Sequence, residues 1–235
     1  MTDGIRAPIE RSAVAPSDDR LAAELRGFGP IGILAILAIV AGALVGPPLS
    51  AALVLLWAWR SRTPWASLGF SRPNGWIRTA IAGVAFGIAF KFVMKAVVMP
   101  LLGADPINQA YHYLAGNAAA LPGMILAVTL GAGFGEELFF RSYLFERLGK
   151  FFGSSAGTKA VIVLVTSMLF GAGHYTGQGI AGVQQATVVG LVFGTIFAIT
   201  GRIWMLMIAH AAFDLTAVAI IYLDRESDVA HLIFR

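Results

Sequence analysis

Six ionisable side chains stand at helical spacing inside otherwise apolar sequence. They are Glu136, Glu137 and Arg141 in GEELFFRSYLFERL, His174 closing FGAGH, and His210 with Asp214 in HAAFD. At about 100° per residue, positions four apart share a helix face, so Glu137 can pair with Arg141 and His210 with Asp214. Glu136 points well away from Arg141, which leaves its carboxylate for other work. Gly171 and Gly173 allow a neighbouring helix to approach closely beside His174. Such a set can perform acid–base hydrolysis, carry an ion or proton, or form a buried ion pair that merely fixes helix packing. Three acids, one arginine and two histidines exceed what packing alone asks for.

The setting makes these charges costly. Apolar residues make up 57% of the 235 residues and charged residues 13%, against roughly 25% charged in soluble domains. Uncharged runs such as IGILAILAIVAGALV and VVGLVFGTIFAIT identify a polytopic membrane protein, an all-α bundle of helices. Between Leu25 and Leu223 there are five acidic residues. Asp105 and Glu146 lie where water is near. Glu136, Glu137 and Asp214 fall at membrane depth, where an ionisable group normally faces a polar interior with a partner. The chain has no cysteine, which excludes disulfides, thiolate nucleophiles and cysteine metal sites. The net charge of +4 forms no basic stripe with interleaved aromatics, so nucleic acid is not an expected partner.

About seven transmembrane helices are predicted to position the six groups: 30–45, 48–59, 77–101, 119–148, 159–175, 183–200 and 203–223. Residues 1–27 read as a disordered cytoplasmic tail, 28–223 as the transmembrane domain, and 224–235 as a C-terminal tail. Lysine and arginine fill the tail and the 60–78 and 147–159 connections and are missing from 46–48, 102–118 and 176–182. That asymmetry predicts a cytoplasmic (inner) membrane protein with its N-terminus in the cytoplasm. Counted from the basic ends at 1.5 Å per residue, Glu136 lies roughly 18 Å deep, His174 roughly 22 Å, and His210 and Asp214 roughly 10–17 Å. The three helices can bring these groups together in one cavity, expected to open toward the cytoplasm.

The ordered set Glu136-Glu137-x-x-x-Arg141, Phe170-x-x-x-His174 and His210-x-x-x-Asp214 resembles the signature of the CAAX protease and bacteriocin-processing enzymes, the CPBP or Abi family. These are intramembrane endopeptidases related to the type II CAAX prenyl endopeptidases. The resemblance covers a core of about 118–220. It implies a membrane-associated peptide or protein substrate, and it agrees with the physical roles of the residues. Glu136 activates water, Glu137 is oriented by Arg141, His174 binds the water, and His210, held by Asp214, donates to the oxyanion. The resemblance leaves the cofactor open between a metal-free glutamate mechanism and a zinc site built from Glu136, His174 and His210. The rival reading is a non-catalytic membrane protein: an immunity or anchoring factor, or an ion- or proton-coupled transporter using the same cluster. A transporter more often shows inverted repeats and broken helices, and the sequence displays neither.

The remaining candidates have simpler readings. His112 and His231 read as surface histidines. Trp57, Trp59, Trp65 and Trp76 read as an interfacial belt. Lys95 can snorkel toward the membrane surface, but Lys91, one turn deeper, has no evident reason to be there.

Overall fold

The computed structural model describes residues 17–234. Among the described residues nine helices carry the architecture: α1 Ser17–Arg26, α2 Pro30–Val45, α3 Pro47–Arg60, α4 Trp76–Leu101, α5 Ala118–Phe152, α6 Ala156–Gly173, α7 Tyr175–Thr200, α8 Trp204–Tyr222 and α9 Glu226–Ala230. Among the described residues there is no strand. The five helices α4 to α8 are long and apolar enough to cross a membrane, and the chain is a multi-pass membrane protein. The first two predicted spans are shorter. With 16 residues in α2 and 14 in α3, they reach about 24 Å and 21 Å, below the roughly 30 Å of a bilayer core. They form a hairpin turned at Gly46, with proline at the start of α3 where its missing N–H costs nothing.

Parts of both segments read as tails are helical. Residues 1–16 of the expected tail lie outside the described residues, but 17–26 form α1. It is docked by burial of Ala22 and by Trp57, whose indole Nε1–H donates to the Leu25 carbonyl at 3.0 Å. Arg147 and Lys150 both donate to the Arg26 carbonyl, at 3.1 and 2.6 Å. Trp57 therefore leaves the predicted interfacial belt. It is buried edge-on against Tyr143, whereas Trp59, Trp65 and Trp76 are exposed. At the other end, the supposed tail turns back as α9 and buries Glu226.

Helix α5 packs against both α8 and α3. A Cβ on Gly133 would stand 2.8 Å from Ala211 on α8, and one on Gly135 would stand 2.9 Å from the Pro47 carbonyl oxygen. Only glycine permits these approaches, and they press the segment just before Glu136 into the middle of the bundle. Here α5 is not a regular α-helix. It widens into π-helical turns over Ala127–Glu136 and Leu138–Tyr143, a distortion that recurs at functional sites because it redirects side chains.

The predicted 176–182 loop is helical. Helix α6 ends at Gly173, His174 forms the junction, and α7 starts at Tyr175, broken only at Gly179 with φ 62°. His174 thus caps the end of α6 on the side of the 102–117 connection.

Candidate active site

The centre of the cluster is Glu137, fully buried on α5. Its Oε1 lies 2.9 Å from Arg141 Nη1, the partner four residues on. The two are close enough for an ion pair, although the guanidinium N–H is out of line for a hydrogen bond. The same oxygen accepts the Nδ1–H of His210, on α8, at 2.7 Å. Arg141 is itself buried, its guanidinium 4.5 Å above the Phe170 ring and 5.8 Å from that of Phe193. These aromatic faces hold the cation where water is scarce.

The hydrogen bond from His210 to Glu137 corrects one expected role. Asp214 does not hold His210 through Nδ1. That nitrogen belongs to Glu137, and Asp214 Oδ2 faces the other one, Nε2, at 3.6 Å. Glu136 Oε2 faces the same Nε2 at 3.7 Å. Neither distance is a hydrogen bond. Glu136 Oε2 and Glu137 Oε2 are both buried without a hydrogen-bond partner. The Glu136 side chain is 16% exposed and that of Asp214 24%, against 0% for Glu137. Of the two adjacent carboxylates, Glu137 is thus enclosed and held through Oε1, while Glu136 keeps some exposure.

His174 completes the set from the α6–α7 junction. Its Nδ1–H donates to the Phe170 carbonyl at 2.8 Å, which turns Nε2 outward as the free nitrogen. Phe170 packs edge-on against both imidazoles, with ring centroids 4.7 Å from His174 and 6.0 Å from His210. Contacts at His210 join Glu136, Glu137 and Asp214, Arg141 joins through Glu137, and Phe170 brings His174 beside them.

The zinc alternative finds no matching donor set. Among the described residues no three histidine or carboxylate side chains stand together closely enough to hold a metal ion. His210 has one nitrogen committed to Glu137 and the other shared between two acids.

Sequence reasoning missed Tyr111 and Gln178. Gln178 lies one turn past His174 and donates its Nε2–H to the Tyr111 hydroxyl at 3.4 Å. Burial pushes the Tyr111 phenol up, and the charges of Asp214 and Glu136 push it further. A tyrosine from the 102–117 connection therefore stands beside Gln178, one turn past His174. That connection is fastened by Glu226 of α9, which accepts the Asn108 N–H at 2.8 Å and meets His112 Nδ1 at 3.2 Å and Lys95 Nζ at 3.6 Å. His112 is thus a partner of a buried acid and not an idle surface group. No local spacing could signal these contacts, since Glu226 and Asn108 are 118 residues apart.

Residues 118–216 match the sequence model of the family described as type II CAAX prenyl endopeptidase Rce1-like. No curated protein and no solved structure matches the chain. The matched stretch begins with α5 and ends two residues past Asp214, so it contains every residue of the cluster. Over residues 118–216 the chain is thus similar to the Rce1-like type II CAAX prenyl endopeptidases.

Proposed function

We propose that this protein is an intramembrane endopeptidase that hydrolyses a peptide bond in a membrane-associated peptide or protein, with Glu136 as the base. The observation that carries this reading is the contrast between the two adjacent glutamates. Glu137 is fully buried and its Oε1 is taken by Arg141 and His210, whereas the Glu136 side chain is 16% exposed and its Oε2 has no hydrogen-bond partner and lies 3.7 Å from His210 Nε2. A general base needs that freedom.

In this reading a water lies between Glu136 Oε2 and His174 Nε2. Glu136 takes one proton as the water oxygen attacks the scissile carbonyl carbon, and the carbonyl oxygen becomes the oxyanion. His210 as imidazolium presents Nε2–H to that oxyanion, its ring fixed by Glu137 at the opposite nitrogen. Glu136 then returns the proton to the departing amine as the carbon–nitrogen bond breaks. No metal step is invoked, because the donors are not arranged for one. The 102–117 end of the bundle, where Tyr111 stands, is the approach for the substrate.

The test is Glu136→Gln in purified, detergent-solubilised protein assayed against a library of amphipathic peptides. Cleavage should fall by at least about 10³-fold, while the melting temperature stays that of the parent. Undiminished cleavage by this variant would remove Glu136 from the role of base. The orientation is proposed from the basic connections, with the N-terminus in the cytoplasm. Because the chain has no native cysteine, Asn117→Cys offers a clean label. It should react with an impermeant maleimide from outside intact cells; labelling only after lysis would invert the orientation.

A further inference from the structure

The α2–α3 hairpin carries no charge from Gly27 to Trp59, and its turn stops far short of the end of the bundle where α8 meets the 102–117 connection. Contacts between elements fix its depth. The Leu68 carbonyl accepts the Ser142 Oγ–H at 2.6 Å, and the next carbonyl, Gly69, accepts the Ile203 N–H at 3.0 Å. Ser142 of α5 and Ile203 at the start of α8 therefore stand at one level, that of the basic 60–78 connection. Counting from that level, Gly133 and its neighbour Ala211 lie roughly 12–14 Å along their two helices. Tyr222, the far end of α8, lies roughly 16 Å beyond Ala211. The Gly116 N–H donates to the Tyr222 carbonyl, so the 102–117 connection marks that far face. Gly135, which touches the Pro47 backbone, is nearer the basic level than Gly133. From Pro47 the chain runs beside α5 back to the basic side, where Trp57 packs on Tyr143 with ring centroids 5.0 Å apart. Nor does α1 lengthen the hairpin: it turns 57° away from α2, and its Arg26 carbonyl is held by Arg147 and Lys150.

The turn itself is chemically suited to a place without water. The Gly46 N–H donates to the Gly42 carbonyl at 3.0 Å, Pro47 and Pro48 have no N–H, and the N–H groups of Leu49 and Ser50 both donate to the Gly46 carbonyl at 3.2 Å. The Pro47 carbonyl accepts the Ser50 Oγ–H at 2.9 Å. No N–H of the turn is left seeking a partner, which is what hydrocarbon demands of a backbone. Beside it, Leu44 is 86% exposed and Val45 77%. Such apolar surface favours lipid over water.

We propose that α2–α3 is a re-entrant hairpin that enters and leaves the bilayer on the side of the basic connections, with Pro47 as a positioning residue whose backbone, wedged against Gly135, holds the neighbouring Glu136 in place. The effect on hydrolysis rests on the function proposed above; the topology does not.

Single cysteines in the cysteine-free chain test the topology without an activity assay. Val45→Cys and Asn117→Cys are treated with an impermeant maleimide in intact cells and in inverted vesicles. Asn117→Cys should react on one side, and Val45→Cys on neither side until the membrane is dissolved in SDS. Reaction of Val45→Cys on the same side as Asn117→Cys would make the hairpin two full spans and overturn the proposal. Reaction on the opposite side would make it a surface hairpin and overturn it equally. The positioning role is read from kinetics. Gly135→Ala pushes a Cβ into the Pro47 backbone, whereas Gly131→Ala, one turn away, meets nothing within 4 Å. Gly135→Ala should lower kcat roughly tenfold with KM little changed, and Gly131→Ala should match the parent. If Gly135→Ala fails to fold, Pro47→Ala, which loosens the wedge from the other side, should show the same split. Parental kcat in the folded variant, Gly135→Ala or its Pro47→Ala substitute, would overturn the positioning role. A shielded Val45→Cys in a protein that cleaves no peptide would refute the hydrolytic reading and leave the re-entrant hairpin standing.

Discussion

His210 of α8 reaches across to α5 and donates its Nδ1–H to Glu137 at 2.7 Å, so the imidazole is oriented by the second glutamate of the pair and not by the aspartate on its own helix. Because that oxygen also meets Arg141, one buried carboxylate fixes both a cation and an imidazole. The ring therefore has its Nε2 edge aimed at Glu136 before any substrate arrives, the preorganisation that oxyanion stabilisation needs.

The first prediction separates the two acids that face His210. Asp214→Asn leaves the Glu137 hydrogen bond intact, so cleavage should stay within about tenfold of the parent. Glu137→Gln weakens the bond that sets the ring, and His210→Ala removes the donor; each should cost about 10²–10³-fold in kcat. Steady-state kinetics on purified variants decides the order. A larger loss for Asp214→Asn than for Glu137→Gln would return the orienting role to Asp214.

Arg141→Ala should harm the fold as well as the reaction. It strands Glu137, a fully buried carboxylate, and empties the space between Phe170 and Phe193. Breaking a buried pair from one side costs about 3–5 kcal/mol. Thermal unfolding in detergent should show a drop of about 10 °C. A melting temperature equal to the parent's would contradict the pairing.

Chelation should leave cleavage unchanged. Among the described residues no three histidine or carboxylate side chains are placed to hold a metal ion, and His210 Nδ1 is taken by Glu137. Overnight treatment with EDTA or phenanthroline, followed by assay and by elemental analysis, checks this. Loss of activity that zinc restores would show that the site rearranges to bind a metal.

Glu226→Ala should loosen the 102–117 connection. The substitution removes the acceptor for the Asn108 N–H and the partner of His112 and Lys95 in one step. Hydrogen exchange should accelerate over 106–114, and KM should rise, because Tyr111 loses its fixed position beside Gln178. Exchange unchanged in that segment would mean that the Gly116 N–H to Tyr222 carbonyl bond, at 3.0 Å, holds the connection unaided.

The sequence alone determined the class and the cast of this site. Uncharged runs are read by composition, and a charge inside such a run is conspicuous because the membrane makes it costly. Glu136, Glu137, Arg141, His174, His210 and Asp214 could therefore be selected, and the Glu137–Arg141 pair assigned, since a four-residue spacing on a helix is a local property. Tertiary structure decided which partner each group takes. The His210–Glu137 bond joins residues 73 positions apart, and helix periodicity contains no information about which face of α8 meets which face of α5. Gly133 sets that register, and Gly83 and Gly87 set the register of α4 against α8, through close approach that becomes visible only when the opposing helix is present. The same limit hid α9. Glu226 reads as a tail residue until the fold brings Asn108, His112 and Lys95 around it, because burial of a charge depends on neighbours distant in the chain.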